Sequence, residues 1–135
     1  MKYLLLIGRI LFSLLFLMTI MGHFSSQSIQ YAASSGVPMA SVLVPLSGII
    51  ATLGALSIIL GYKAKIGAWL IVVFLLPVSF FMHKFWTVSD PMMMQMQMAM
   101  FMKNMSLIGG ALIISYFGSG PLSIDNRKSA QEAQK

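Results

Sequence analysis

Residues 42–82 read VLVPLSGIIATLGALSIILGYKAKIGAWLIVVFLLPVSFFM. Two apolar runs flank the short basic turn Tyr62-Lys63-Ala64-Lys65, and neither run carries a charge. A hydrocarbon core of about 30 Å takes about 20 residues of helix, so each run is long enough to cross a bilayer. A connection this short predicts an antiparallel helical hairpin. In the first run Gly48, Ala51, Gly54 and Ala55 recur at helical spacing, a small-residue surface that lets another helix approach closely. Pro45 falls in its first turn, where a missing N–H does little harm. Pro77 lies inside the second run, where it frees a carbonyl near Val73 and favours a kink.

Composition places the rest of the chain in the same solvent. Of 135 residues, 58% are hydrophobic and 9% charged, against about 25% charged in a soluble domain. The net charge of +6, from nine basic and three acidic residues, forms no block beside a groove-reading motif, which argues against nucleic acid. There is no cysteine, which removes disulfide, iron–sulfur and cysteine-zinc chemistry together.

Outward from the hairpin, Tyr3–Met21 is apolar except for Arg9, Ser13 and Thr19 and reads as an uncleaved first span. Arg9 interrupts the run, and no small-residue cleavage site closes it. The loop His23–Ala40 lacks Lys, Arg, Asp and Glu. Within it, Ser26–Ser35 predicts a short interfacial helix with a serine N-cap and Gly36 after its end. On the other side, Ser89-Asp90-Pro91 reads as an N-cap with proline at the first helical position, opening a last helix that Gly118-Ser119-Gly120-Pro121 closes. The expected architecture is an all-α, four-helix transmembrane bundle over residues 1–125, with spans at about 3–22, 42–61, 66–82 and 96–117. Residues 126–135 are expected to be a frayed polar tail.

Basic residues set the expected orientation. Lys2, Lys63, Lys65, Arg127, Lys128 and Lys135 fall at one side of such a bundle, Lys84 and Lys103 near the other. The positive-inside rule puts both termini in the cytoplasm, and the chain is expected to be a multi-pass protein of the inner (cytoplasmic) membrane.

Candidate functional residues are the polar ones that lipid cannot satisfy. Arg9, Ser13, Phe16, Ile20 and His23 share one face at 4-3-4-3 spacing, expected to turn inward. Arg9 reads either as a structural or snorkelling side chain or as a ligand or partner contact. Lys103 and Asn104, three turns into the last helix, suit an anionic or carbonyl-bearing head group such as a quinone; alternatively Lys103 snorkels or pairs with Asp90. His83 stands with Lys84, Phe85 and Trp86 at an outer helix end, and the two aromatics suit an interfacial belt. Metal coordination by His23 and His83 lacks a third strong ligand. The stripe Met94, Met98, Met102 offers thioethers to Cu(I), yet methionine is equally an adaptable packing residue. The expected ligand- or partner-facing set is Arg9, His83, Lys103 and Asn104, with no metal and no catalytic group.

Several of these residues together resemble the DoxX family of small bacterial membrane proteins. The likeness is carried by Gly8-Arg9, Tyr31 with Gly36-Val37-Pro38, Pro45-Leu46, His83 with Phe85 and Trp86, Phe101-Met102-Lys103-Asn104 and Gly109-Gly110. It closes with Gly118-Ser119-Gly120-Pro121 and Leu122-Ser123-Ile124-Asp125. Ala51 stands where family members often carry a glutamate. The resemblance implies a four-helix inner-membrane protein and an accessory or anchor subunit of a quinone-linked or oxidative-stress redox complex. The alternatives are a small-molecule or Cu(I) carrier and a purely structural membrane protein. Expected partners are the lipid bilayer and a redox-complex subunit, and self-association into a homo-oligomer is compatible with the chain.

Overall fold

In the computed structural model, which describes residues 1–134, every regular element is a helix. They are α1 (Lys2–Thr19), α2 (Ser26–Ser34), α3 (Ala40–Leu60), α4 (Ala64–Met82), α5 (Pro91–Phe117) and α6 (Ile124–Glu132), with 3₁₀ turns at Ile20–Phe24 and Phe85–Thr87. Four stretches, built on α1, α3, α4 and α5, are long and apolar enough to cross a membrane. In the bundle α1 packs on α3, α3 on α4 and α4 on α5. The core holds Phe16, Ala55, Ile58, Ala68, Ile71 and Ala111. Large apolar side chains such as Leu53, Trp69, Val73 and Ile113 point outward, the inverse of a soluble bundle and what a lipid solvent requires.

Sequence cues explain where the helices begin and end. Asp90 accepts a hydrogen bond from Met93 N at 2.8 Å, capping α5 ahead of Pro91. Ser25 caps α2 by accepting from Ser28 N at 3.2 Å, and Gly36 follows that helix at φ +92. The helix α3 starts at Ala40, so Pro45 lies deeper inside it than expected, and α4 continues through Pro77. All four small residues of α3, Gly48, Ala51, Gly54 and Ala55, are buried.

Both chain ends and the α3–α4 turn meet at one end of the bundle, here the termini end. A three-segment clasp closes it. Asp125 N donates to Gly61 O at 2.9 Å. Its carboxylate accepts from Lys63 N at 3.0 Å and Ala64 N at 3.4 Å, capping the start of α4 from a residue distant in sequence. Ser123 caps α6 itself, accepting from Asn126 N at 3.1 Å. The segment expected to fray is therefore a capped helix as far as Glu132, because Ser123 and Asp125 supply the acceptors that its start and the neighbouring turn need; Lys135 lies outside the described residues. Asp125→Ala is expected to cost about 1–2 kcal/mol, the size of a lost cap. Trypsin should then cut faster after the exposed Arg127 and Lys128. An unchanged cleavage rate would show that the carboxylate does not hold α6.

Candidate functional site

The structure places the four candidate ligand- or partner-facing residues apart. Arg9 is at the termini end, 4% exposed, with Nη2 donating to Leu122 O at 2.6 Å. It is turned inward and does not snorkel. Its Nε and Nη1, with Ser13 Oγ one turn along, are buried without a partner among the described residues. Asp125 spends its carboxylate on backbone N–H groups and the Ser119 hydroxyl rather than on Arg9. Gly61, at φ +65, has to lack a side chain here: a Cβ would run into Arg9 Nη1 and Ser123.

The opposite, distal end holds His83. Its Nδ1 lies 2.8 Å from Gln97 Oε1, and Gln97 Nε2 donates to the Tyr31 hydroxyl at 3.4 Å. Lys84 Nζ donates to Ser35 O at 2.8 Å, placing a cation at the carbonyl end of α2, where the helix dipole favours it. Phe85, Trp86 and Phe101 pack edge-on with one another at this corner, and Phe80 packs edge-on to Phe101. His83 and Lys84 thus fasten α2 and α5 to the end of α4, a structural duty.

Lys103 and Asn104 part company. Successive helical residues point about 100° apart. Asn104 turns inward and is 3% exposed, whereas Lys103 faces outward and its Nζ meets only Met100 Sδ at 3.7 Å. They cannot grip one head group together. Met94, Met98 and Met102 are all exposed. Among the described residues there is no cluster of three or more His, Cys, Asp or Glu.

One cavity has almost wholly apolar walls, and sequence reasoning did not find it. It encloses about 570 Å³ in the distal half, between the Ile20–Phe24 turn, α2, α3 and α4. That volume lies within the range of small-molecule sites, roughly 300–1,000 Å³. Its walls are hydrocarbon and aromatic, among them Leu43, Ile50, Phe74 and Val78. Leu46, Val73 and Phe81 also line it and are exposed on the outer surface, so the cavity opens sideways toward lipid. Polar atoms come only from Thr19, His23, Ser28 and Ser47, apart from backbone. His23 is held in place from two sides. A Cβ on Gly48 would lie 2.6 Å from His23 Cβ and 2.8 Å from Cγ, so the ring lies against the bare backbone of α3. The Phe74 ring is 5.6 Å away, centroid to centroid. The sequence signals were present, His23 at the end of the polar face of the first span and Gly48 among the small residues. Only the fold joins them.

Comparison with known proteins corrects the family. The family model that matches the chain is that of the SURF4 family, over residues 1–131. The inner membrane protein YphA of Escherichia coli (strain K12) is 30% identical over 128 residues, covering 92% of this chain and 89% of that protein. The inner membrane protein YqjF of the same organism is 31% identical over 124 residues, covering 89% and 88%. No solved structure matches. The DoxX resemblance is overturned by the SURF4 match. Its motifs were glycines and prolines at helix ends and aromatics at interfaces, which many small membrane bundles need for physical reasons alone. With four apolar helices and these relatives, the chain is an integral, multi-pass inner-membrane protein.

Proposed function

The chain belongs to the SURF4 family, and from that premise we propose that it binds a small membrane-soluble amphiphile in its distal cavity. The observation that carries this reading is the cavity itself, about 570 Å³ with almost wholly apolar walls and a side opening to lipid. Because the recess opens to lipid, a membrane-soluble molecule can enter it directly from the bilayer, and its volume suits a small ligand. We further propose that both termini are cytoplasmic. Lys2, Lys63, Lys65, Arg127 and Lys128 belong to the termini end, and the positive-inside rule favours that end inside. The cavity then opens to the outer leaflet.

An anchor role in a redox complex was expected from the DoxX resemblance and has no support apart from it. A quinone is one of several amphiphiles that fit the cavity by size, and the same experiment tests it. Val44 projects from α3 into the lining. The full chain is purified in mild detergent and examined by native mass spectrometry. The wild-type protein is expected to retain a lipid-like molecule, and Val44→Trp, which fills the space, to lose at least most of it. Equal retention by both, or none by either, sinks the reading.

A further inference from the structure

This inference rests on the cavity reading and asks which head group the cavity accepts. The lining contains no Lys, Arg, Asp or Glu, so a charged head group would enter without a counter-ion, at a heavy desolvation cost. The remaining polar groups can be counted by what they still offer. A hydroxyl has one hydrogen and two lone pairs. The Thr19 hydroxyl donates to Phe16 O at 3.1 Å and the Ser47 hydroxyl to Val44 O at 2.7 Å. Each has spent its hydrogen on the backbone and has only lone pairs left.

His23 is fixed in the same sense. Its Nδ1 lies 3.1 Å from Thr19 O. A carbonyl oxygen only accepts, so in the neutral imidazole Nδ1 carries the hydrogen and Nε2 is left with its lone pair. No described residue bonds to Nε2. Ser28 is no different: the Ser25 hydroxyl donates to Gly22 O at 2.9 Å, so across the 2.9 Å contact between the two serines the hydrogen comes from Ser28, which keeps only lone pairs. The cavity therefore presents four side-chain acceptors, from Thr19, His23, Ser28 and Ser47, and no side-chain donor.

We propose that the cavity selects neutral amphiphiles bearing a hydroxyl group, with His23 Nε2 as the acceptor that reads it. A hydroxyl brings the hydrogen that these acceptors lack and donates it to Nε2. A ketone, ester or quinone offers only acceptors and meets only side-chain acceptors. A carboxylate or phosphate meets lone pairs with no cation. Gly48 belongs to this device, because any side chain there would push the imidazole from its seat.

The test uses the full chain in phosphatidylcholine nanodiscs with matched probes: hexadecanol, hexadecyl methyl ether and palmitate, and a long-chain quinol with its quinone. Occupancy is read by native mass spectrometry and the imidazole nitrogens by NMR. Hexadecanol is expected to bind the wild-type protein about fivefold to tenfold more tightly than its ether, the worth of one buried hydrogen bond. The quinol should be favoured over the quinone, and palmitate should bind worst. The Nε2 resonance of His23 should move with the alcohol and not with the ether. His23→Phe should bring the alcohol down to the level of the ether. Equal binding of alcohol and ether by the wild type, or a preference for palmitate, overturns this inference and leaves the cavity reading standing. Binding of none of the probes overturns both.

Discussion

Gly67→Val is expected to force α3 and α4 apart and to destabilise the bundle by about 2–4 kcal/mol, the sum of overpacking and a lost turn hydrogen bond. The two helices cross almost backbone to backbone. A Cβ on Gly67 would lie 2.5 Å from both Cβ and Oγ of Ser57 and 2.9 Å from Gly54 O. On the facing helix, a Cβ on Gly54 would lie 2.8 Å from Gly67 O. Two of these obstacles are main-chain oxygens, which cannot swing aside as a flexible side chain can. Ser57 is not free to yield either, because its hydroxyl bonds to Tyr62 O at 2.6 Å and Lys63 O at 3.1 Å and so shapes the α3–α4 turn. In lipid no hydrophobic force drives the helices back together, and the close packing is itself the attraction. Thermal unfolding of the full chain in mild detergent measures the effect. Gly109→Val is the control, since nothing lies within 4 Å of a Cβ there, and it should unfold close to wild type. A similar loss in both variants would mean that valine, rather than this crossing, is what the bundle resists.

The contrast between those glycines marks how far the sequence could be read. Spans were legible because a bilayer demands apolar length, and length is written in the chain. The face of α3 was legible because Gly48, Ala51, Gly54 and Ala55 repeat at helical spacing, and all four are buried. What met that face was not legible. Gly54 receives the backbone of Gly67, whereas Gly48 receives an imidazole from a 3₁₀ turn. Spacing within one helix cannot distinguish these. Where each candidate polar residue points was not legible for a related reason. Lys103 and Asn104 are neighbours in sequence and therefore point different ways on a helix, and Arg9 and His83 belong to opposite ends of the bundle. Polar residues were rightly marked as needing partners. Most found them in the backbone, and the cavity that stayed open is walled by residues that looked like ordinary core.

Arg9→Ala is expected to lower stability by about 2–4 kcal/mol, through one charge-assisted hydrogen bond and the packing of a buried aliphatic stem. Leu122 has φ +55, a left-handed conformation rare for a residue with a branched side chain. Its carbonyl accepts from Arg9 Nη2, and this bond ties the chain between α5 and α6 to α1. Without it the segment that delivers Asp125 to the start of α4 is held only through Gly61 and the carboxylate itself. The comparison with Arg9→Met separates the two contributions. Methionine keeps most of the stem and loses the bond, but it also removes the two donors, Nε and Nη1, that are buried without partners. Replacing a poorly satisfied buried charge by an apolar side chain is often close to neutral, so Met should cost about 1 kcal/mol or less and Ala clearly more. Unfolding temperature reports both, and trypsin cleavage after Arg127 reports release of the clasp. Equal losses in Ala and Met would assign the stability to the hydrogen bond alone. No loss in Ala would mean that Arg9 does not hold this end of the bundle, and its two free donors would then need a ligand of their own to explain a guanidinium buried this deeply.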